Sequence, residues 1–135
     1  IGYGSGWRTN YSMEVIYDAN LLRYYTIDAT GSKVYYQPTE YIDDENLDIL
    51  YDMEDYGMSS NYYISEDGSN QFMFVLIDEW SEVCGIYIMT DNYTLYSFGW
   101  LYQSRYLLTH ITEDAAYDYP KTTIISRNAG SPDKL

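Results

Sequence analysis

Apolar and polar positions alternate with a period of two along most of this chain, the signature of strands that bury one face. In YSMEVIYD, Met13, Val15 and Tyr17 alternate with Glu14, Ile16 and Asp18, which predicts a first strand. RYYTID and KVYYQ follow, joined by ATGS, a short glycine-containing link of the hairpin kind. Pro38 should stop the third strand because it has no N–H to donate. NYYIS and QFMFVLID then flank EDGSN, in which Asp67-Gly68 is a strong turn signal. The unbroken apolar run from Phe72 to Ile77 predicts a central strand covered on both faces. VCGIYIMT and YTLYSFGWLY complete a meander of four strands. In the last of these, Tyr96, Phe98, Trp100 and Tyr102 share one face, opposite Leu95, Ser97, Gly99 and Leu101.

The period changes over residues 44 to 56, where Leu47, Leu50 and Tyr51 form a narrow apolar stripe at helical spacing. Asp43 or Asp44 can cap the N-terminus of a helix there, acids fill its first turn, and Gly57 suits a left-handed C-terminal position. Glu45, Asp48, Asp52 and Asp55 follow another face of that helix. In the C-terminal third, YLLTHIT and TTIIS read as strands because of their β-branched residues, the alternative being a helix from Gln103 to Tyr117 ended before Pro120. The expected fold class is therefore α+β: mainly antiparallel β-sheet built of hairpins and meanders, with one acidic helix at about 44–56. A chain of 135 residues suffices for a single domain, placed at 1–128, with 129–135 as a flexible tail. Three hairpin segments, YYTIDATGSKVYY, YYISEDGSNQFMF and YIMTDNYTLYSF, resemble one another, although similar hairpins alone do not establish a repeat.

Composition places this fold under an unusual charge. The chain is 46 % apolar and 19 % aromatic, with nineteen tyrosines, so its acidity sits on a folded body. The formal charge of −14 is uneven. Residues 1–33 carry three acids against three bases, and residues 105–135 carry four against four. All the excess lies in residues 34–104, which hold fourteen carboxylates, from Glu40 to Asp91, and no Lys or Arg. Such a segment repels itself, and a cationic partner would relieve the repulsion. The same field argues against direct binding to nucleic acid or an anionic membrane, which requires clustered Lys and Arg. No apolar run of membrane-spanning length exists, and IGYGSGWRTN lacks the features of a signal peptide.

Candidate chemistry is sparse. No Ser is flanked at two residues on both sides by Gly, and GYGSG follows no strand, so neither a nucleophile elbow nor a phosphate loop is indicated. Cys84 is the only cysteine and His110 the only histidine. The first reads as a buried small hydrophobe in a strand, the second as an unrelated surface residue, and the two together as a conceivable thiolate pair. Adjacent carboxylates are inevitable among twenty-one acids and do not mark a glycosidase. The calcium-loop pattern is absent, and helical spacing would disperse oxygen ligands along a rod. No cofactor is expected. Asn10-Tyr11-Ser12 and Asn92-Tyr93-Thr94 match the N-glycosylation acceptor, at a frequency chance would supply.

Two functions from different classes follow. The first is a non-enzymatic inhibitor whose anionic face mimics nucleic acid and fills the cationic groove of a nucleic-acid-handling protein. Glu45, Asp48, Asp52 and Asp55 would form one row of charge, with Glu40, Asp43, Asp44 and Glu54 beside it. Asp78, Glu79 and Glu82 would add a cluster at a strand end, with Trp80 as an apolar anchor. Its partner would be a basic nucleic-acid-binding protein or enzyme in the host cytoplasm. The layout from NYYIS to SFGWL, with its acidic Asp-Gly turn, apolar central strand and further strand after MTDN, resembles the sheet of phage uracil-DNA glycosylase inhibitors. That resemblance implies an acidic phage or plasmid inhibitor of a repair, restriction or CRISPR enzyme, and an immunity protein against a basic nuclease would look the same. The tyrosine-rich N-terminal hairpin departs from the family, and no residue role carries over. The second function is a secreted or virion surface module that binds carbohydrate or protein through its tyrosines.

Overall fold

The computed structural model describes residues 12–28, 30–42, 46, 48, 49, 58–116, 119–127 and 132. These residues form one antiparallel sheet of eleven short strands, 53 % of the described chain, and no helix is among its elements. The α+β expectation is thus corrected to nearly all-β. The acidic helix expected at 44–56 falls mainly outside the described residues, and helical backbone is confined among those described to Asn46, Asp48 and Ile49. Among the described residues the period-two alternation of apolar and polar positions prevails, and it sets the fold class. Here the packing that matters is of Ile42, Ile49 and Met58 against the outer face of the sheet.

The strands are β1 (Glu14–Asp18), β2 (Arg23–Ile27), β3 (Lys33–Pro38), β4 (Ser59–Ser65), β5 (Phe72–Ile77), β6 (Val83–Met89), β7 (Leu95–Phe98), β8 (Trp100–Tyr102), β9 (Arg105–Leu107), β10 (His110–Glu113) and β11 (Lys121–Ile124). From β1 to β7 each strand pairs with the next, in a meander that curls into a half-barrel. YTLYSFGWLY, expected as one strand, is broken at Gly99 into β7 and β8. Its lower half, β7, pairs with β6 and β10, while its upper half, β8, pairs with β9, which in turn pairs with β1. One hairpin therefore belongs to both ends of the strand order and ties the curl together. At the break, Gly99 N donates to Thr109 Oγ1 at 3.3 Å, and Thr109 N donates to Ser97 O at 2.8 Å. Arg127 holds the facing kink, its Nε and Nη2 donating to Leu108 O at 2.9 and 2.6 Å. Of the expected tail only Pro132 is described; it is buried, and its carbonyl accepts from Arg127 Nη1.

Strand alternation sorts the side chains into two cores. Val15, Tyr24, Tyr36, Met73, Val75 and Ile86 are among those that fill the concave face, and Phe72, Phe74, Leu76, Met89 and Leu95 form a cluster on the convex one. Ile42, Ile49 and Met58 pack against the convex cluster, so β5 is buried on both faces, as its unbroken apolar run predicts. YLLTHIT, expected as one strand, is broken at Leu108 and Thr109 into β9 and β10, and the strand expected at TTIIS is present as β11.

Three of the connections share one design. In 28–32, 78–82 and 90–94 the first residue donates its N–H to the fifth residue's carbonyl and accepts from the fourth residue's N–H. The fourth residue has positive φ: Gly31 at 85°, Ser81 at 63° and Tyr93 at 61°. The first side chain braces the turn from within. Asp28 accepts from the N–H of Thr30 and Ser32, Asp78 from Trp80 and Glu82, and Thr90 from Thr94. Next to the 78–82 turn the β5–β6 register shifts by one residue, Leu76 facing Gly85 while Ile77 faces Val83. Cys84 is the extra residue of this bulge. The bulge turns it outward, so the expected buried cysteine is exposed, with Sγ 3.5 Å from Leu76 O.

Candidate partner-binding end of the sheet

In an antiparallel meander, alternate connections lie at the same end. The β1–β2, β3–β4, β5–β6 and β8–β9 connections share one end, and the β2–β3, β4–β5, β6–β7 and β10–β11 connections share the other. The first end gathers six of the eight large apolar side chains that are exposed among the described residues: Tyr17, Leu21, Leu22, Tyr41, Trp80 and Leu101. Trp80, at the tip of the β5–β6 turn, is 74 % exposed. Glu79 and Glu82 flank it in the same turn, and both are exposed, as is Glu40 just beyond β3. Scattered exposed apolar residues mean little, whereas their occurrence in or beside connections on one side of the meander, next to carboxylates, suits contact with a partner.

The four sequence-predicted residues of the β5–β6 turn divide by role. Asp78 is half-buried and spends its carboxylate on the turn's own N–H groups, 2.9 Å from Trp80 N and 3.0 Å from Glu82 N. Glu79, Trp80 and Glu82 face solvent. Asp48 is exposed, but its neighbour Asn46 lines a small cavity with Asn70, Phe72 and Asp91, at the opposite end of β5. The fold therefore separates Asp48 from the Asp78–Glu82 turn and brings Asp91 toward it. Asp43, Asp44, Glu45, Asp52, Glu54 and Asp55 lie outside the described residues.

Charge compensation is sparse and local. The two ion pairs among the described residues join Arg23 to Glu66 at 2.9 Å and Arg105 to Glu14 at 3.1 Å. Arg23 thus supplies from β2 a counter-charge that the cation-free middle of the sequence lacks. Lys33 lies over the Tyr25 ring, 4.9 Å from its centroid, and Arg127 is committed to backbone carbonyls. Glu40, Glu79 and Glu82 form no ion pair among the described residues.

Within the curl, Tyr17, Tyr24, Tyr63 and Tyr106 stand at inward registers near this same end. Tyr24 meets Tyr17 and Tyr63 edge-on, with ring centroids 4.9 and 5.3 Å apart. Burial pushes the Tyr24 hydroxyl well above the usual tyrosine range, and the neighbouring Tyr63, Tyr106 and Tyr17 add to it. Burial likewise raises Tyr63 and Tyr106. These phenols stay neutral at physiological pH. Beside them, where β3 leaves β4, a cavity of about 330 Å³ is lined by Pro38, Thr39, Glu40, Ser60, Asn61, Tyr62 and Tyr63.

No protein family, curated protein or solved structure matches this chain. Cys84 and His110 stand on β6 and β10 with β7 between those strands, and His110 Nδ1 instead meets Thr109 Oγ1 at 2.9 Å. Among the described residues no three His, Cys, Asp or Glu side chains converge as metal ligands, and no helix is long and apolar enough to cross a membrane. Sequence reasoning missed Tyr41, Leu21, Leu22 and Leu101 as members of the rim. The only available signal was that each sits in or beside a connection on the same side of a meander.

Proposed function

We propose that this protein is a non-enzymatic acidic inhibitor that mimics nucleic acid and occupies the cationic groove of a nucleic-acid-handling protein with the Trp80 end of its sheet. The observation that supports this most is the joint exposure at one rim of Glu40, Glu79 and Glu82 with Trp80, Tyr41 and Leu22. Carboxylates without internal counter-ions give long-range attraction to a basic surface, and exposed aromatic and aliphatic side chains give the short-range contacts that fix a complex. A phosphate-binding groove already carries the complementary charge.

The test is capture from host lysate at low and high salt, followed by a competition assay with DNA or RNA on the recovered protein. Recovery of a basic nucleic-acid enzyme that salt releases, and that nucleic acid displaces, is the expected result. In the recovered complex, Glu79→Lys with Glu82→Lys should weaken binding at least tenfold, while Asp91→Lys, at the far end, should have a smaller effect. Equal effects of the two changes, or salt-independent capture of a glycan, would overturn the assignment.

A further inference from the structure

We infer that the cavity between the end of β3 and the start of β4 receives a guanidinium side chain, an arginine of the basic partner; this rests on the reading above and specifies which side chain the rim engages. Among the described residues the lining holds one carboxylate and no cation: Glu40, with Thr39, Ser60 and Asn61 as neutral polar groups and Pro38, Tyr62 and Tyr63 as walls. A guanidinium has five donors and no acceptor, so it needs a site rich in oxygen. Glu40 offers a two-pronged acceptor, Asn61 an amide oxygen and Thr39 a hydroxyl oxygen. The three-carbon stem of an arginine would lie along Pro38.

The local structure keeps these groups in place without using up the carboxylate. Thr39 N donates to Tyr62 O at 2.9 Å, which locks the chain onto β4 just past Pro38. Tyr41 N donates to Thr39 Oγ1 at 3.2 Å, which fixes the Thr39 side chain. Glu40 between them is exposed and forms no ion pair among the described residues. Tyr62 packs onto the convex cluster and Tyr63 onto the concave one, so neither ring stands free as the open platform on which a sugar would stack. An ammonium would gain the charge of Glu40 but lacks the planar fork that reaches several acceptors at once.

The experiment is a titration of the isotope-labelled protein, followed by amide resonances, with agmatine as the arginine side-chain probe. Cadaverine, a dication like agmatine but with two ammonium groups, and cellobiose serve as ammonium and sugar probes. Saturable agmatine shifts at Glu40, Asn61, Tyr62 and Tyr63, weaker for cadaverine and absent for cellobiose, are expected. Glu40→Gln should weaken agmatine at least tenfold while Glu79→Gln leaves it unchanged. Absence of agmatine shifts at these residues, equal affinity in Glu40→Gln, or shifts with cellobiose instead would overturn the inference. If agmatine fails while salt-sensitive capture of a basic partner persists, only the cavity assignment falls. If agmatine binds and no basic partner is captured, the inhibitor reading falls and the cavity stands.

Discussion

Asp78 shows how one residue type can serve structure and surface within a single turn. Its carboxylate accepts the N–H of Trp80 and Glu82, so it presents Trp80 and contributes little free charge of its own. Asp78→Ala should cost about 1 to 2 kcal/mol of stability through these lost charge-assisted bonds, measured by denaturant unfolding. Ser81 in the same turn holds φ at 63°. Glycine adopts that conformation without the steric cost a Cβ brings, so Ser81→Gly should stabilise the fold by up to about 1 kcal/mol. A loss of stability would mean that the Ser81 side chain contributes something the turn geometry does not require. Two other turn acids carry a pH signature. Thr30, through its hydroxyl and N–H, together with the Ser32 and Gly31 N–H groups, holds the Asp28 carboxyl below its usual range, and the Ser69 hydroxyl and N–H do the same for Asp67. A carboxyl lowered in the folded state stabilises above its unfolded pKa, and that contribution disappears as pH falls through the folded value. The double variant Asp28→Asn with Asp67→Asn should therefore lose stability at neutral pH and show a flatter stability profile between about pH 5 and pH 2. An unchanged acid limb would show that neither turn is coupled to folding.

At the scale of elements, most strands were legible in the sequence because their physics is local. Met13, Val15 and Tyr17 mark the inward face of β1, and the run Phe72–Ile77 marks a strand with two covers. What was illegible depends on pairing partners. Nothing local in YTLYSFGWLY distinguishes a continuous strand from one handed over at Gly99 between β6 and β9, because that break exists only once β1 has come round to meet β9. Likewise the outward turn of Cys84 follows from a register shift between two strands, while its own neighbours read as a buried strand. The density of charge singles out Glu79 and Glu82 in the sequence, and Trp80 stands beside them as an apolar anchor. Their other apolar companions were not legible there, since Leu22, Tyr41 and Leu101 are distant in sequence and meet only through topology. The handover rests on Arg127, whose guanidinium binds Leu108 O through two nitrogens and Pro132 O through a third. Arg127→Ala should destabilise the protein by about 2 to 3 kcal/mol, a hydrogen-bonded charge being worth more than a neutral donor. Arg127→Lys should recover only part of this, because an ammonium lacks the planar fork that spans both carbonyls. Full rescue by lysine would assign the effect to charge alone.

Across the whole molecule, the formal charge of −14 is opposed by only two ion pairs among the described residues. Self-repulsion on this scale destabilises the compact state, and dissolved salt screens it with a Debye length of about 10 Å at 0.1 M. The melting temperature should therefore rise as sodium chloride increases from low concentration to physiological strength. For a domain of this size each 1 kcal/mol of relieved repulsion adds roughly 3 to 4 °C. Binding to a cationic partner should respond with the opposite sign, since the charges that screening relieves in the free protein are those that attract the partner. The two responses share one cause, so they should also move together under mutation. Glu79→Lys with Glu82→Lys should reduce both the salt-induced gain in melting temperature and the salt-induced loss of affinity. Differential scanning fluorimetry and binding measurements across one salt series would show this. A melting temperature that is flat or falling in sodium chloride would mean that the acids are compensated within the fold, and the rim would then lack the unrelieved charge on which partner recognition is argued.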